Sequence, residues 1–435
     1  MPNIIVLGTC DTKLPELLYL RDQILRHTDT TVTLIDVGRE HVEHVAITMP
    51  QSLLVSQYGR NAPISELSRG ELNRYMATCA SDAVRALVEQ PTGRMGAPHG
   101  IVSLGGSGGT SLAAAVMRDS LPLGFPKLIA STIASGDTGS IVGEADITLM
   151  YSVVDVAGLN GLLKNILSNA AGAIVGMAGA YQQMLQEKRE MNGETNGAKR
   201  KKVRVGITMF GVTTAACTAM NAHLAACQDI DFEVFVFHAT GHGGRAMERL
   251  IEEGGLDAII DLTTTEVCDY ICGGNMSAGP KRLEAAIKAE IPLVVSVGAT
   301  DMANFGSLDS VPERYRSRKL HEHNPSVTLM RTNAEEARAV GTFIADKLKV
   351  HQKASVVEVW LPNGGVSALS EAGGPFEDSH VDAALFSAVE QGLQGTSIRV
   401  VSDDRAINDK SFAVDVAEAL VRMVNILNNV QRAGG

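Results

Sequence analysis

Ile101-Val-Ser-Leu-Gly-Gly-Ser-Gly-Gly-Thr110 is the stretch on which the reading of this chain turns. The short run at 101–104, closed by glycine, reads as a buried strand. Gly105, Gly106, Ser107, Gly108, Gly109 and Thr110 then lead into an alanine-rich helical pattern at 111–118. Bare N–H groups at a helix N-terminus attract phosphate or carboxylate. Glycine lets the backbone come close to such a group. The competing reading is a plain strand-to-helix turn, for which four glycines in six positions is an unusual composition.

Outward from this stretch the same alternation recurs. Short apolar runs at 4–7 and 32–36 flank the polar loop Gly8-Thr-Cys-Asp-Thr-Lys13 and a helical pattern at 14–26. Another run at 128–131 leads into Ser135-Gly-Asp137. The second half echoes the first. Runs at 203–207 and 234–238 flank Thr208-Met-Phe-Gly-Val-Thr-Thr214 and a helical pattern at 215–227. Runs at 258–262 and 293–297 precede Thr263-Thr-Thr-Glu266 and Gly298-Ala-Thr-Asp301. Strands alternating with helices predict parallel βαβ units. The expected fold class is α/β, with two Rossmann-like, doubly wound parallel-sheet subdomains joined by a polar linker. The linker is 187–202, EKREMNGETNGAKRKK, which carries no core residues. It separates an N-terminal subdomain, 1–186, from a C-terminal one, 203–435. Ligands of such sheets sit beyond the C-terminal ends of the strands, where the strand order reverses.

The 435 residues carry a net charge of −11 and only 4% aromatics. That balance argues against nucleic-acid partners, whose binding draws on positive charge and aromatic stacking. No apolar stretch reaches the length of a membrane span, and no signal peptide is expected. The six cysteines lie scattered, with no CxxC pair, which reads as reduced thiols and a cytoplasmic setting.

Three strand-end loops carry the chemistry of the first half: Asp11, Thr12 and Lys13; the glycine stretch; and Gly136, Asp137 and Thr138. Lys13 reaches a phosphate as a point charge, and Asp137 offers a carboxylate to a ribose hydroxyl or a magnesium ion. Residues 105–110 lack the lysine of a Walker loop and the spacing of GxGxxG. A nucleotide phosphate, or another phosphorylated ligand, is therefore expected over a nicotinamide cofactor.

In the second half, Phe237-His-Ala-Thr-Gly-His-Gly-Gly-Arg-Ala-Met-Glu248 brings His238, Gly243, Gly244 and Arg245 together. An arginine at a glycine-rich helix start reads a carboxylate or phosphate in two-pronged fashion, or forms a structural ion pair. Thr264, Thr265 and Glu266 cap a helix or line a site. Arg282 is expected at a helix start, and His321-Glu-His323 with Arg331 complete the set. His238, Glu266 and His323 are the candidate proton movers. The candidate substrate-binding groups are Gly243, Gly244, Arg245, Thr264, Thr265, Arg282 and Arg331, on a small carboxylate or phosphorylated metabolite. No metal centre is assigned.

Taken together, GTCDTK, LGGSGGT, SGDTGSIVGEADITLMYSVVDVAGLN, GITMFGVTT, VFHATGHGGRAME, DLTTTEV, GPKRLEAA and HNPSVTLMRT resemble one family. It is the ATP-binding domain family of the tomato mosaic virus resistance protein, and the likeness runs from residue 3 to about 430. The resemblance implies two Rossmann-like subdomains, a homodimer, and ATP, with Mg2+ as an optional companion, in the N-terminal subdomain. Carried onto this chain, the nucleotide would meet Asp11, Thr12, Lys13, the 105–110 stretch and the 136–138 loop. The expected function is nucleotide binding. An enzyme acting on a small anionic metabolite in the C-terminal cleft is the alternative.

Overall fold

The computed structural model describes every residue except 28, 60–63, 91–95, 195–201, 351–355 and 434–435. The chain divides into two compact units, Met1–Ala198 and Lys199–Gly435.

The first unit runs β1 Asn3–Gly8, α1 Cys10–Leu25, β2 Thr31–Asp36, α2 Gln51–Tyr58, α3 Arg69–Glu89, β3 Gly100–Gly105, α4 Ser107–Ser120, β4 Lys127–Ser131, α5 Gly139–Val142, β5 Thr148–Tyr151 and α6 Gly161–Glu194. Its sheet has the order β2-β1-β3-β4-β5, all parallel. Alternate side chains of β1 go to opposite faces, as strand geometry requires. Ile4 and Val6 pack with Leu17, Leu20, Leu163 and Ile174 of α1 and α6. Ile5 and Leu7 pack with Met76, Val84, Leu112 and Val116 of α3 and α4. The chain therefore leaves β1 toward one face and β3 toward the other, and the crevice opens between two neighbouring strands.

The second unit runs β6 Val203–Met209, α7 Thr214–Ala225, β7 Phe232–His238, α8 His242–Glu252, β8 Ala258–Thr263, α9 Thr265–Cys272, α10 Ala285–Lys288, β9 Leu293–Gly298, β10 Met302–Phe305, β11 Leu320–Asn324, β12 Val327–Arg331, α11 Ala334–Leu348, β13 Val357–Pro362, α12 Ser379–Leu393, β14 Arg399–Asp403 and α13 Lys410–Ala433. The main sheet, β14-β13-β9-β8-β6-β7, is again all parallel. Its first strands repeat the order of the first unit, so the echo read in the sequence is an echo of topology. α7 and α13 cover one face through Met220, Leu224, Phe412 and Leu420. α8, α9, α11 and α12 cover the other.

The structure departs from expectation in three places. The polar loop after β1 and the glycine stretch after β3 are helical: Cys10 opens α1, which kinks at Lys13 (φ −137°), and Ser107 opens α4. The first helical turn needs no amide acceptors of its own, so glycine costs it less than a helix interior. α6 continues to Glu194, into the stretch expected as linker. Glu, Lys, Arg and Met there are good helix formers; the rest of that stretch, 195–201, lies outside the described residues. Third, β10-β12-β11 form a small antiparallel sheet inserted after β9. It breaks the βα alternation on which the sequence reading relied.

Candidate functional site

In the first unit, the crevice between β1 and β3 is bordered by the starts of α1 and α4. Much of the α1 side is tied inward. Asp36, fully buried at the end of β2, accepts the amides of Cys10 and Gly38, both at 2.9 Å. Burial pushes its carboxyl up from the ordinary value. Asp11 Oδ2 accepts the amides of Arg39 at 2.7 Å and Glu40 at 3.1 Å. Thr12 shares a 2.8 Å hydroxyl contact with Thr9. The Lys13 ammonium donates to the Val156 carbonyl, and three residues on Glu16 accepts the Gly158 amide at 2.6 Å. Lys13 and Glu16 thus grip the loop leading into α6.

The α4 side is different. Its N-cap is Gly106, which has no side chain to cap with. The Thr110 amide reaches the Gly106 carbonyl at 2.9 Å. The amides of Ser107, Gly108 and Gly109 find no acceptor among the described residues. Thr110 is fully buried, with its hydroxyl 2.7 Å from that of Ser131, so it straps α4 to β4. Two side chains not anticipated from the sequence border the turn. A Cβ on Gly108 would stand 3.3 Å from Asn73 Nδ2 and 3.6 Å from a terminal nitrogen of Arg69. Both belong to α3, four positions apart and hence on one helix face. The signal lay in Ser68-Arg-Gly-Glu71, a capping box that starts α3, with Glu71 accepting the Ser68 amide at 2.9 Å. Gly136 and Asp137 are exposed beyond β4, where Asp137 accepts the Gly139 amide at 3.0 Å; Thr138 is the N-cap of α5.

In the second unit the groups singled out from the sequence come together, but around one another. Glu266 is fully buried and accepts the amides of Gly241 at 2.6 Å and Gly244 at 3.0 Å at the start of α8. Its other oxygen accepts from Arg282 at 2.8 Å. Arg282 also makes a two-pronged contact to Asp261, at 2.6 and 2.7 Å, and reaches Glu248 at 3.2 Å. Glu248 in turn accepts the amides of Leu283 and Ala285. One cation and three carboxylates are buried together, and helix starts supply the remaining positive potential. Burial drives the Glu248 carboxyl up. Two glycines here have no room for a side chain. A Cβ would lie 1.8 Å from the His238 carbonyl oxygen at Gly243 and 1.9 Å from Glu266 at Gly244.

Arg245 donates to the Ser277 carbonyl at 2.8 Å and lies 3.1 Å from His242 Nδ1. Thr264 and Thr265 are fully buried, Thr264 donating to the Ser296 carbonyl at 3.2 Å. Arg331 donates to Asp382 at 2.7 Å and to the Phe376 carbonyl at 2.9 Å. Nearby Asp301 is fully buried and accepts from Ser367 at 2.8 Å, and burial pushes its carboxyl to about 7. His238 is exposed at the end of β7, its ring 5.5 Å from that of Phe210. His323 is exposed on β11, where the register shifts between Glu322 and Asn324. Among the described residues, no group of three or more His, Cys, Asp or Glu is arranged to hold a metal ion. Nor is any helix among them long and apolar enough to cross a membrane.

Known proteins match this chain over nearly its whole length. A UPF0261 protein of Clostridium tetani is 40% identical, across 97% of this chain and 99% of its own. A second, from Mesorhizobium japonicum, is 42% identical over 97% and 99%. The tomato ToMV resistance protein Tm-1(GCR237) is 37% identical over 97% of this chain, which spans 56% of that protein. The N-terminal domain of uncharacterised protein family UPF0261 matches residues 2–183 and its C-terminal domain residues 202–424. The resemblance read from the motifs is thus shown, and the chain belongs to the UPF0261 family.

Proposed function

We propose that the first unit binds a nucleotide, ATP, with its phosphates against the start of α4. The observation that carries this reading is the set of three successive amides, Ser107 to Gly109, which find no acceptor among the described residues at the point where the strand order reverses. Aligned amides and the helix dipole favour an anion there. The second unit supports the choice by contrast, because Glu266, Arg282 and Arg331 are spent on internal bonds. In this reading Ser107, Gly108 and Gly109 supply backbone donors. Asp11 and Lys13 shape the crevice, and Thr110 holds α4 in place. The homodimer and the cytoplasmic setting belong to the same reading.

Thermal unfolding with added ATP, with Mg2+ or with EDTA, is the test. At about a hundred times the dissociation constant, a ligand stabilises the fold by about 2.7 kcal/mol, and the melting temperature rises. An unchanged melting temperature with and without Mg2+ at millimolar ATP would refute the proposal. Light scattering after size exclusion tests the dimer.

A further inference from the structure

We propose that two copies of this chain meet at the free edge of β7. The two strands pair antiparallel about a two-fold axis at Phe235, so that the six-stranded sheets of two second units run on as one. The inference rests on the homodimer part of the reading above and gives it a surface.

β7 is the last strand of its sheet and pairs with β6. The backbone bonds show which of its sides is open. The Val203 amide donates to the Asp231 carbonyl at 2.8 Å, and the Ala239 amide to the Met209 carbonyl at 2.7 Å. The Arg204 carbonyl instead accepts from Asp257, on the β8 side, at 2.8 Å. Successive residues of a strand turn their amides and carbonyls to opposite sides. β7 therefore bonds β6 through its odd-numbered residues. The amides and carbonyls of Phe232, Val234 and Val236 face outward and find no partner among the described residues. Beside them the Val236 side chain is 45% exposed.

The other main-sheet edges are blunted. The amides of Thr48 and Met49 cover β2 by bonding the Leu34 carbonyl at 2.9 and 3.0 Å. β5 has four residues, and β14 carries Arg399 and Asp403 at its ends. Short strands, end charges and covering segments are what keep a sheet edge from pairing. β7 has seven residues, Phe-Glu-Val-Phe-Val-Phe-His, with one carboxylate. Its charge pattern names the occupant. Asp229, Asp231 and Glu233 lie at its start, and His238, His242 and Arg245 at and after its end. A second copy laid antiparallel sets each acidic end beside the other's basic end, which fixes partner and direction together. With the axis at Phe235, Val234 of each copy stands opposite Val236 of the other. Both are outward-facing residues, so each pair can exchange both of its backbone bonds.

The experiment is light scattering after size exclusion, on the full chain over a series of micromolar concentrations. Wild type is expected to run as a dimer. Val236→Lys puts a charge on the pairing edge twice across the axis, at a position exposed in the single chain. It should weaken self-association more than about tenfold and leave the circular dichroism unchanged. Val236→Pro removes an amide that β6 does not use, and should do the same. Val236→Thr, uncharged and equally suited to a strand, should stay dimeric. The double variant Val234→Cys, Val236→Cys reads the register directly. Paired residues of antiparallel strands stand about 5.5 Å apart at Cα, within disulfide reach, so oxidation should give a covalent dimer on a denaturing gel where wild type gives none. A wild-type dimer that persists in both the lysine and proline variants, or a cysteine variant that forms no covalent dimer, would overturn the β7 interface and leave the homodimer standing. A monomeric wild type would overturn the homodimer and the interface together.

Discussion

Glu266 Oε1 lies 2.6 Å from the Gly241 amide, so the anion at the start of α8 is the protein's own carboxylate. The glycine-rich turn Gly241-His-Gly-Gly-Arg245 has the composition of an anion cradle, and it is one. Its occupant comes from 25 positions further along the chain. The turn that opens α4 has the same chemistry and no such internal occupant among the described residues.

Glu266→Gln is expected to destabilise the second unit by about 3 kcal/mol, since it breaks a buried, hydrogen-bonded ion pair and leaves Arg282 under-neutralised. Urea unfolding followed by circular dichroism reads this. Stability within experimental error of wild type would show that the carboxylate is not structural and would return it to the list of free acids.

Gly108→Ala separates fold from ligand. The added methyl finds Asn73 Nδ2 at 3.3 Å, a side-chain tip able to give, so the fold should tolerate it. Alanine in a first helical turn is neutral or stabilising by up to about 1 kcal/mol. The same methyl stands at the turn that carries the free amides, between it and Asn73 and Arg69, and the ATP-induced rise in melting temperature should shrink. A rise equal to that of wild type would place the phosphate elsewhere.

Thr110→Val tests the opposite case. Its hydroxyl is buried 2.7 Å from Ser131. Losing it should cost about 1–2 kcal/mol, the scale of a buried hydroxyl left without its partner. Nucleotide affinity, measured by titration, should stay within about twofold because the lost group faces inward. A large loss of affinity with unchanged stability would contradict that geometry.

Asp301 makes a pH prediction. Burial raises its carboxyl from 3.8 to about 7 in the folded protein. A raised folded value means that the neutral form is the one the fold favours. The stabilisation is full below the unfolded value of 3.8 and is lost as pH climbs through about 7. Asp301→Asn carries no charge to bury, so its stability relative to wild type should improve steadily from pH 4 to pH 8. Unfolding midpoints at pH 5 and pH 8 check this. A variant-minus-wild-type stability difference that stays constant or falls with rising pH would show that Arg331 and Ser367 hold the ionised form without penalty.

Most of the main-sheet strands were legible because their signal is local. Runs such as Ile4–Leu7 and Ala258–Leu262 are short, mostly apolar and closed by glycine or threonine, and each became a buried strand. The three-stranded insertion was not legible as a sheet. Its strands pair antiparallel across residues 302–331, and one is bulged beside His323, so neither period nor spacing marks them. In the candidate sites, the sequence marked residue types but not the partners that the structure gives them. Lys13 looked like a phosphate ligand and donates to the Val156 carbonyl, 143 positions away. Arg282 looked like a clamp and is the centre of a buried ion network.

The sequence by itself determined the layered α/β architecture and the repeat of strand, loop and helix patterns in the two halves, because apolar period and glycine punctuation act over a few residues. Only the tertiary structure decided which glycine-rich helix start is already neutralised and which still presents bare amides. That outcome depends on carboxylates and arginines delivered from distant strands, and no local pattern encodes where they arrive.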